Sequence, residues 1–194
     1  MLSTPALWYL AAGYVALLAF FVAQRPLRRT NEARSLRGGD LDRGSTRLIA
    51  AAFGIGLLLP LVLDSFGAAV FALTVPEVLA ALGVMLLGLF VRLWAALHLG
   101  WFYTSTLLVT EGQTVVDSGP YSRVRHPGYL GTILLWTGFG VLTSNLALAV
   151  LFPAMFVAVY LRRISVEEKM LAEQLGPDYA RYQERTKRLI PYVF

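Results

Sequence analysis

The sequence predicts an all-α, polytopic integral membrane protein with five transmembrane helices and a cytoplasmic C-terminal helical segment. Three observations carry that expectation. Of the 194 residues, 57% are hydrophobic and 15% charged, against about 25% charged in soluble domains, so much of the surface must face lipid. Five apolar runs alternate with polar segments and turn signals. The 17 Lys and Arg also sort to one side of a five-span threading. All but Arg92 fall in the segments 25–47 and 98–128 or in the tail, and Arg92 sits in the third run near the same face. The positive-inside rule then sets the N-terminus outside and the C-terminus inside. The length is that of a single membrane domain, 1–194. It divides into an N-terminal two-helix part (1–75) and a core (76–194) that holds the loop 98–128 and the tail 162–194.

Pro5 to Gln24 is a charge-free run, long enough to cross a ~30 Å hydrocarbon core. No basic segment precedes it, and Arg25, Arg28 and Arg29 follow it, so it reads as a span and not as a cleaved signal. Arg25 to Arg47 is polar, with a Gly38-Gly39 turn. Leu48 to Leu63 is the second span, which Pro60 kinks or ends. Residues 64–75 form a connection without Lys or Arg. Pro76 to Leu97 is the third span, with Pro76 suited to a first helical turn. Gly54, Gly56, Gly83 and Gly88 permit close helix packing, within one chain or between chains. Tyr129 to Leu142 and Leu146 to Leu161 are two further spans joined by Thr143-Ser144-Asn145. From Arg162 the chain is polar and helical, broken at Gly176-Pro177, and it ends in the apolar, aromatic stretch Leu189 to Phe194.

Composition excludes several chemistries. The chain has no cysteine and only two histidines, His98 and His126, so disulfides, thiol nucleophiles and a metal site are not expected. The basic charge is a topology and anionic-lipid signal, and nucleic-acid binding is not expected. What stands out is Gly119 to Gly131, GPYSRVRHPGYLG. The residue before each of its prolines is pushed away from the α region, which predicts an irregular loop. An Arg/His/Tyr loop at the mouth of a membrane helix is costly to build. Three other groups share its face: Arg92 and His98 with Trp101 and Tyr103; Arg162, Arg163, Glu167 and Glu168; and Tyr179, Tyr182, Arg185, Arg188 and Tyr192. Much of this has a plain structural reading. Arg162 and Arg163 fit anchors of a helix end, Arg123 a topology charge, His98 a structural histidine, and the tyrosines and tryptophans an aromatic belt. Glu167 and Glu168 fit less well, because carboxylates gain nothing at an anionic leaflet unless they pair. Together the groups suit a zwitterionic or polyanionic soluble cofactor held against the membrane, with an apolar substrate entering from the lipid.

These pieces form an ordered pattern: Arg92-Leu-Trp-Ala, Leu99-Gly100, Glu111-Gly112, the 119–131 element, then Arg163 with Glu167-Glu168-Lys-Met-Leu171. Gly176-Pro-Asp-Tyr179-Ala-Arg-Tyr182 and Arg188-Leu-Ile-Pro191 complete it. Over residues 83–194 the chain resembles the isoprenylcysteine carboxyl methyltransferase family and its prokaryotic relatives, within the superfamily that includes phospholipid methyltransferases. The resemblance implies S-adenosylmethionine as cofactor and a lipophilic acceptor at the cytoplasmic leaflet of a prokaryotic inner membrane, most simply a carboxylate that becomes a methyl ester. It implies Tyr121, Arg125, His126, Pro127, Tyr129, Leu130, Glu167 and Glu168 as cofactor-binding residues. Arg163 and His126 are the candidates at the catalytic centre, and Arg92, Trp101 and Tyr103 line the substrate path. A carboxylate acceptor needs no general base, whereas an amine would require His126, Tyr129 or a glutamate to take a proton. The alternatives are N- or S-methylation of a phospholipid or small molecule, a nicotinamide-dependent sterol or enone reductase that looks similar around RHPxY, and a membrane scaffold or transporter. The double glutamate followed by the YxxY tail favours the methyltransferase. Neither the acceptor nor the oligomeric state follows from the sequence.

Overall fold

A computed structural model describes residues 4–27, 42, 44–64, 71–104 and 114–194. The expected Gly38-Gly39 turn and the Glu111-Gly112 pair lie outside the described residues. Five helices account for most of what is described: α1 (Thr4–Gln24), α2 (Ser45–Asp64), α3 (Val75–Leu99), α4 (Pro127–Leu142) and α5 (Leu146–Arg185), with short 3-10 turns at Gly100–Phe102 and Gly119–Ser122. Among the described residues there is no strand, and a single parallel bridge joins Val124 to Lys187. The all-α, polytopic class expected from the sequence is the one observed. Four of the helices are long and apolar enough to cross a membrane, and α4 is a shorter apolar helix.

The helix ends follow local chemistry. Thr74 and Glu77 form a capping box at the start of α3, with a proline in the first turn. Asn145 caps α5 by accepting the Leu148 amide at 3.2 Å. Pro60 lies inside α2, so it neither ends the helix nor restricts it to the stretch before the proline. The fifth span continues into the tail as a helix up to a kink at Gly176, where φ is 54°, and a second, short helix then runs to Arg185. At 1.5 Å per residue the stretch before the kink is ~45 Å, longer than the ~30 Å hydrocarbon core. Its C-terminal part therefore stands clear of the apolar layer and carries Glu167 and Glu168 at the border.

Helix α4 is the centre of the molecule. Leu135, Trp136, Phe139 and Leu142 are fully buried, and a helix covered all round by protein need not match the lipid thickness. Close approach to α3 depends on glycine. A Cβ on Gly88 would sit 2.5 Å from the Gly131 carbonyl oxygen, and one on Gly131 would sit 2.6 Å from that of Gly88. Gly56 packs against the Trp136 ring, whereas Gly54 and Gly83 face open space. An aromatic column runs through the core, with Trp136 stacked on Phe156 at 4.7 Å and Tyr129 on Tyr160 at 4.6 Å. It ends at the N-terminus of α4, where His126 stacks on Tyr129 at 5.5 Å.

Candidate functional site

The RHPxY element sits where α4 begins, and the tail holds it there. Arg125 N donates to Lys187 O at 2.7 Å, His126 N to Arg188 O at 3.0 Å, and Lys187 N to Arg123 O at 3.1 Å. Side chains reinforce the backbone. Glu168, 5% exposed, receives Arg125 Nε at 2.7 Å, Arg188 Nε at 3.0 Å and His126 Nε2 at 3.3 Å. Burial pushes this carboxyl up, but the hydrogen bonds and charges of His126 and Arg125 outweigh it and hold the group down to about 2. Glu168 is thus the pin that joins the loop, the tail and α5.

Glu167, its neighbour, faces another way. Tyr129 Oη donates to Glu167 Oε2 at 2.5 Å, and Arg163 Nε donates to Tyr129 Oη at 3.3 Å. The other end of Arg163 is anchored at the start of α2: Nη1 donates to Asp42 Oδ1 at 2.6 Å, Ser45 Oγ at 2.7 Å and Thr46 Oγ1 at 2.9 Å. Burial opposes the charge on Asp42, but hydrogen bonds from Thr46 and Ser45 and the Arg163 charge lower its pKa. On the α3 side, Arg92 Nε donates to Gln24 Oε1 at 3.1 Å, and the guanidinium lies 5.4 Å over the Tyr103 ring.

These networks surround one cavity, whose empty space, mouth included, is about 970 Å³. Arg92, Tyr103, Tyr121, Arg125, His126, Tyr129, Arg163 and Glu167 all line it. Pro127, Leu130 and Glu168 do not. Pro127 is buried in the first turn of α4, Leu130 packs against the apolar core, and Glu168 is turned to its arginines. Trp101 is also off the wall, 58% exposed on the outer surface. The tail supplies a roof of Met170, Leu171, Leu175, Tyr179 and Tyr182. Tyr182 Oη donates to Tyr121 O at 2.8 Å. Tyr179, 3% exposed, keeps a hydroxyl that has no hydrogen-bond partner among the described residues. Burial pushes the hydroxyls of Tyr121, Tyr179 and Tyr182 up, so all three are donors at neutral pH.

Gln24 and Asp42 complete the constellation, and the sequence does not single them out. Each carried a signal: a carboxamide closing a charge-free run, and an acid within an arginine-rich segment. Neither has a fixed spacing to its partner.

Residues 81–173 match the isoprenylcysteine carboxyl methyltransferase (ICMT) family, and this stretch holds the RHPxY element and both glutamates. The chain is 34% identical over 100 residues to the cobalt-zinc-cadmium resistance protein CzcN of Cupriavidus metallidurans, covering 52% of this chain and 42% of that protein. It is 28% identical over 116 residues to the protein-S-isoprenylcysteine O-methyltransferase of Schizosaccharomyces pombe, covering 59% and 49%. The matches thus span under half the length of these curated relatives. The solved structure of the eukaryotic intramembrane Ras methyltransferase ICMT superposes with a TM-score of 0.68 over all of this chain and 70% of that one, at 19% identity. At that identity the likeness is one of fold. Gln24, Asp42, Tyr179, Tyr182 and Arg188 lie outside the matched residues.

Proposed function

We propose that the chain is an S-adenosylmethionine-dependent methyltransferase that acts on a lipophilic carboxylate at the cytoplasmic leaflet. The observation that carries this reading is the meeting of the family's motif residues around a single cavity beneath the tail. The donor set fits the cofactor. Glu167 offers a carboxylate to an ammonium, the tyrosines offer faces to an aromatic base, and Tyr179 brings a buried hydroxyl with no partner among the described residues. When bound, S-adenosylmethionine supplies a methyl on a sulfonium, and displacement by an acceptor oxygen forms the O–C bond while sulfur keeps the electron pair of the broken C–S bond.

The protein's own part is to bind, orient and keep water out. Arg163 fixes the Tyr129 hydroxyl, and Tyr129 fixes Glu167. Tyr179, Tyr182, Met170 and Leu175 close the site from above. Ordering of this kind can remove ~7–11 kcal/mol of barrier. A carboxylate acceptor is already an anion, so no residue has to abstract a proton, which suits a wall without a free thiol or a Ser-His pair. The exposed apolar faces of α3, with Leu86, Leu87 and Phe90, are in keeping with an acceptor that arrives through the bilayer.

The test is calorimetric binding of S-adenosylmethionine and its demethylated product to the detergent-purified chain, with NADPH as control. Saturable binding of the first two is expected, with affinity reduced at least about tenfold in Glu167→Gln. Binding of NADPH alone would assign the site to a reductase. Binding of none by a folded protein would remove the enzyme reading.

A further inference from the structure

Large apolar side chains are exposed along the spans, as contact with lipid requires, and the last of them on α5 is Val157. From 158 to 189 the chain exposes none. The short helix after Gly176 instead turns Asp178, Arg181, Glu184 and Arg185 outward, which is the surface of a segment in water. Apolar exposure then returns abruptly. Tyr192 is 80% and Val193 73% exposed, and Ile190 and Phe194 are exposed beside them. Such a cluster marks a contact with a partner or a membrane.

The backbone presents these side chains in one fixed turn. Leu189 N and Ile190 N both donate to Phe194 O at 2.8 Å, and Phe194 N donates to Ile190 O at 3.1 Å. Inside it Tyr192 is held at a φ of 66°, a left-handed conformation that a bulky residue rarely takes. The chain before the turn fixes where it lies. Val124 and Lys187 form a parallel bridge, so residues 187–189 run the same way as residues 124–126, which lead directly into the first turn of α4. Leu189 is accordingly buried in the apolar cluster that holds Tyr160 and Ile164 of α5. The turn therefore sits where α4 enters the apolar layer. Two exposed cations stand just before it, Arg123 and Lys187, joined by Lys187 N donating to Arg123 O at 3.1 Å.

We infer that the turn 189–194 is an interfacial membrane anchor. Ile190, Tyr192 and Val193 insert among the lipids beside the start of α4, and Arg123 and Lys187 meet anionic headgroups above them. Tyrosine suits that boundary, with an apolar ring and a wet hydroxyl, and Lys and Arg close to an anionic leaflet each add attraction. The contact is independent of the proposed reaction. Its effect on the cavity is mechanical. Arg188 lies 5.8 Å over the Phe194 ring and also holds Glu168, so a turn seated in lipid keeps the tail against the RHPxY loop.

The chain has no cysteine, so a single nitroxide label can read this contact. The full chain is placed in nanodiscs of phosphatidylcholine alone, and of phosphatidylcholine with phosphatidylglycerol in equal parts. It carries one label, at Tyr192→Cys, Val193→Cys or Arg181→Cys, and the two turn sites allow one to decide if the other variant fails to fold. Collision of the label with oxygen, which concentrates in lipid, is compared with collision with a water-soluble nickel chelate. At the Arg181 site the nickel chelate is expected to dominate. At both turn sites the order is expected to reverse in the anionic nanodisc. Adding Arg123→Glu and Lys187→Glu replaces attraction by repulsion, and it is expected to shift the turn sites toward water in the anionic nanodisc and not in the neutral one. Nickel dominating at the turn sites would place the turn in water. Weak collision with both reagents would mean that protein covers it, from this chain or a second copy. Either result overturns the inference. A turn that stays in lipid with an equal shift, or none, in the two compositions overturns the assignment of anionic headgroups to Arg123 and Lys187.

Discussion

Glu167 and Glu168 are adjacent in sequence, yet their partners differ, and so do the expected effects of replacing them. Glu167 faces the cavity and is held by a tyrosine, so Glu167→Gln should reduce ligand affinity with little loss of fold. Glu168 is buried among Arg125, Arg188 and His126. Glu168→Gln leaves the two arginines without their shared anion and should cost on the order of 3 kcal/mol of stability, read as a lowered melting midpoint. The pH dependence follows from the same geometry. The folded carboxyl sits at about 2, below the about 4.3 of an unfolded glutamate. Its contribution is therefore fully present above that unfolded value and is lost as pH falls toward 2. The wild-type midpoint should drop through that window, and Glu168→Gln should flatten part of the slope. An equal slope in both proteins would show that the pin contributes nothing. Both carboxylates were legible in the sequence as a pair. Their division of labour was not, because a one-residue step along a helix turns the side chain by about 100° and only the neighbours reveal what each then meets.

At the scale of elements, apolar runs made the helices legible, and Asn145, Pro76 and Gly176 made several of their ends legible. The links between elements were less so. The α3–α4 contact depends on Gly88 meeting Gly131 across two helices, and the sequence shows only that each could accept a close neighbour. The Asp42–Arg163 pair spans 121 positions and obeys no period. It nevertheless ties the entrance of α2 to α5 and, through Tyr129, to Glu167. Asp42→Asn should destabilise the protein by about 3 kcal/mol, the usual cost of stranding one member of a buried pair. The loss should be strongly non-additive with Arg163→Leu, since either change breaks the same contact. A double variant that melts at the sum of the two single losses would mean that the pair acts through separate networks.

For the molecule as a whole, the sorting of basic residues made the architecture legible before any packing was known, because lipid forces every span to satisfy its own backbone and leaves charge to fix the direction. The cavity was only half legible. Its RHPxY wall and α5 wall sit in motifs, whereas Gln24 and Asp42 come from the two-helix part that carries no motif. The orientation is open to direct measurement, and the absence of cysteine makes that measurement free of background. Val75, 63% exposed at the start of α3, and Arg181, with a side chain 75% exposed on the tail, lie at opposite ends of the predicted threading. In membrane vesicles of known sidedness, a charged maleimide should label Arg181→Cys only from the cytoplasmic face and Val75→Cys only from the other. The reverse pattern would put the cavity mouth outside the cell, away from the cytoplasmic supply of S-adenosylmethionine that the proposed reaction needs. Labelling of both sites from one face would mean that one or all of the three helices between them, α3 to α5, fail to cross, with the short α4 the first suspect because its 16 residues span only ~24 Å.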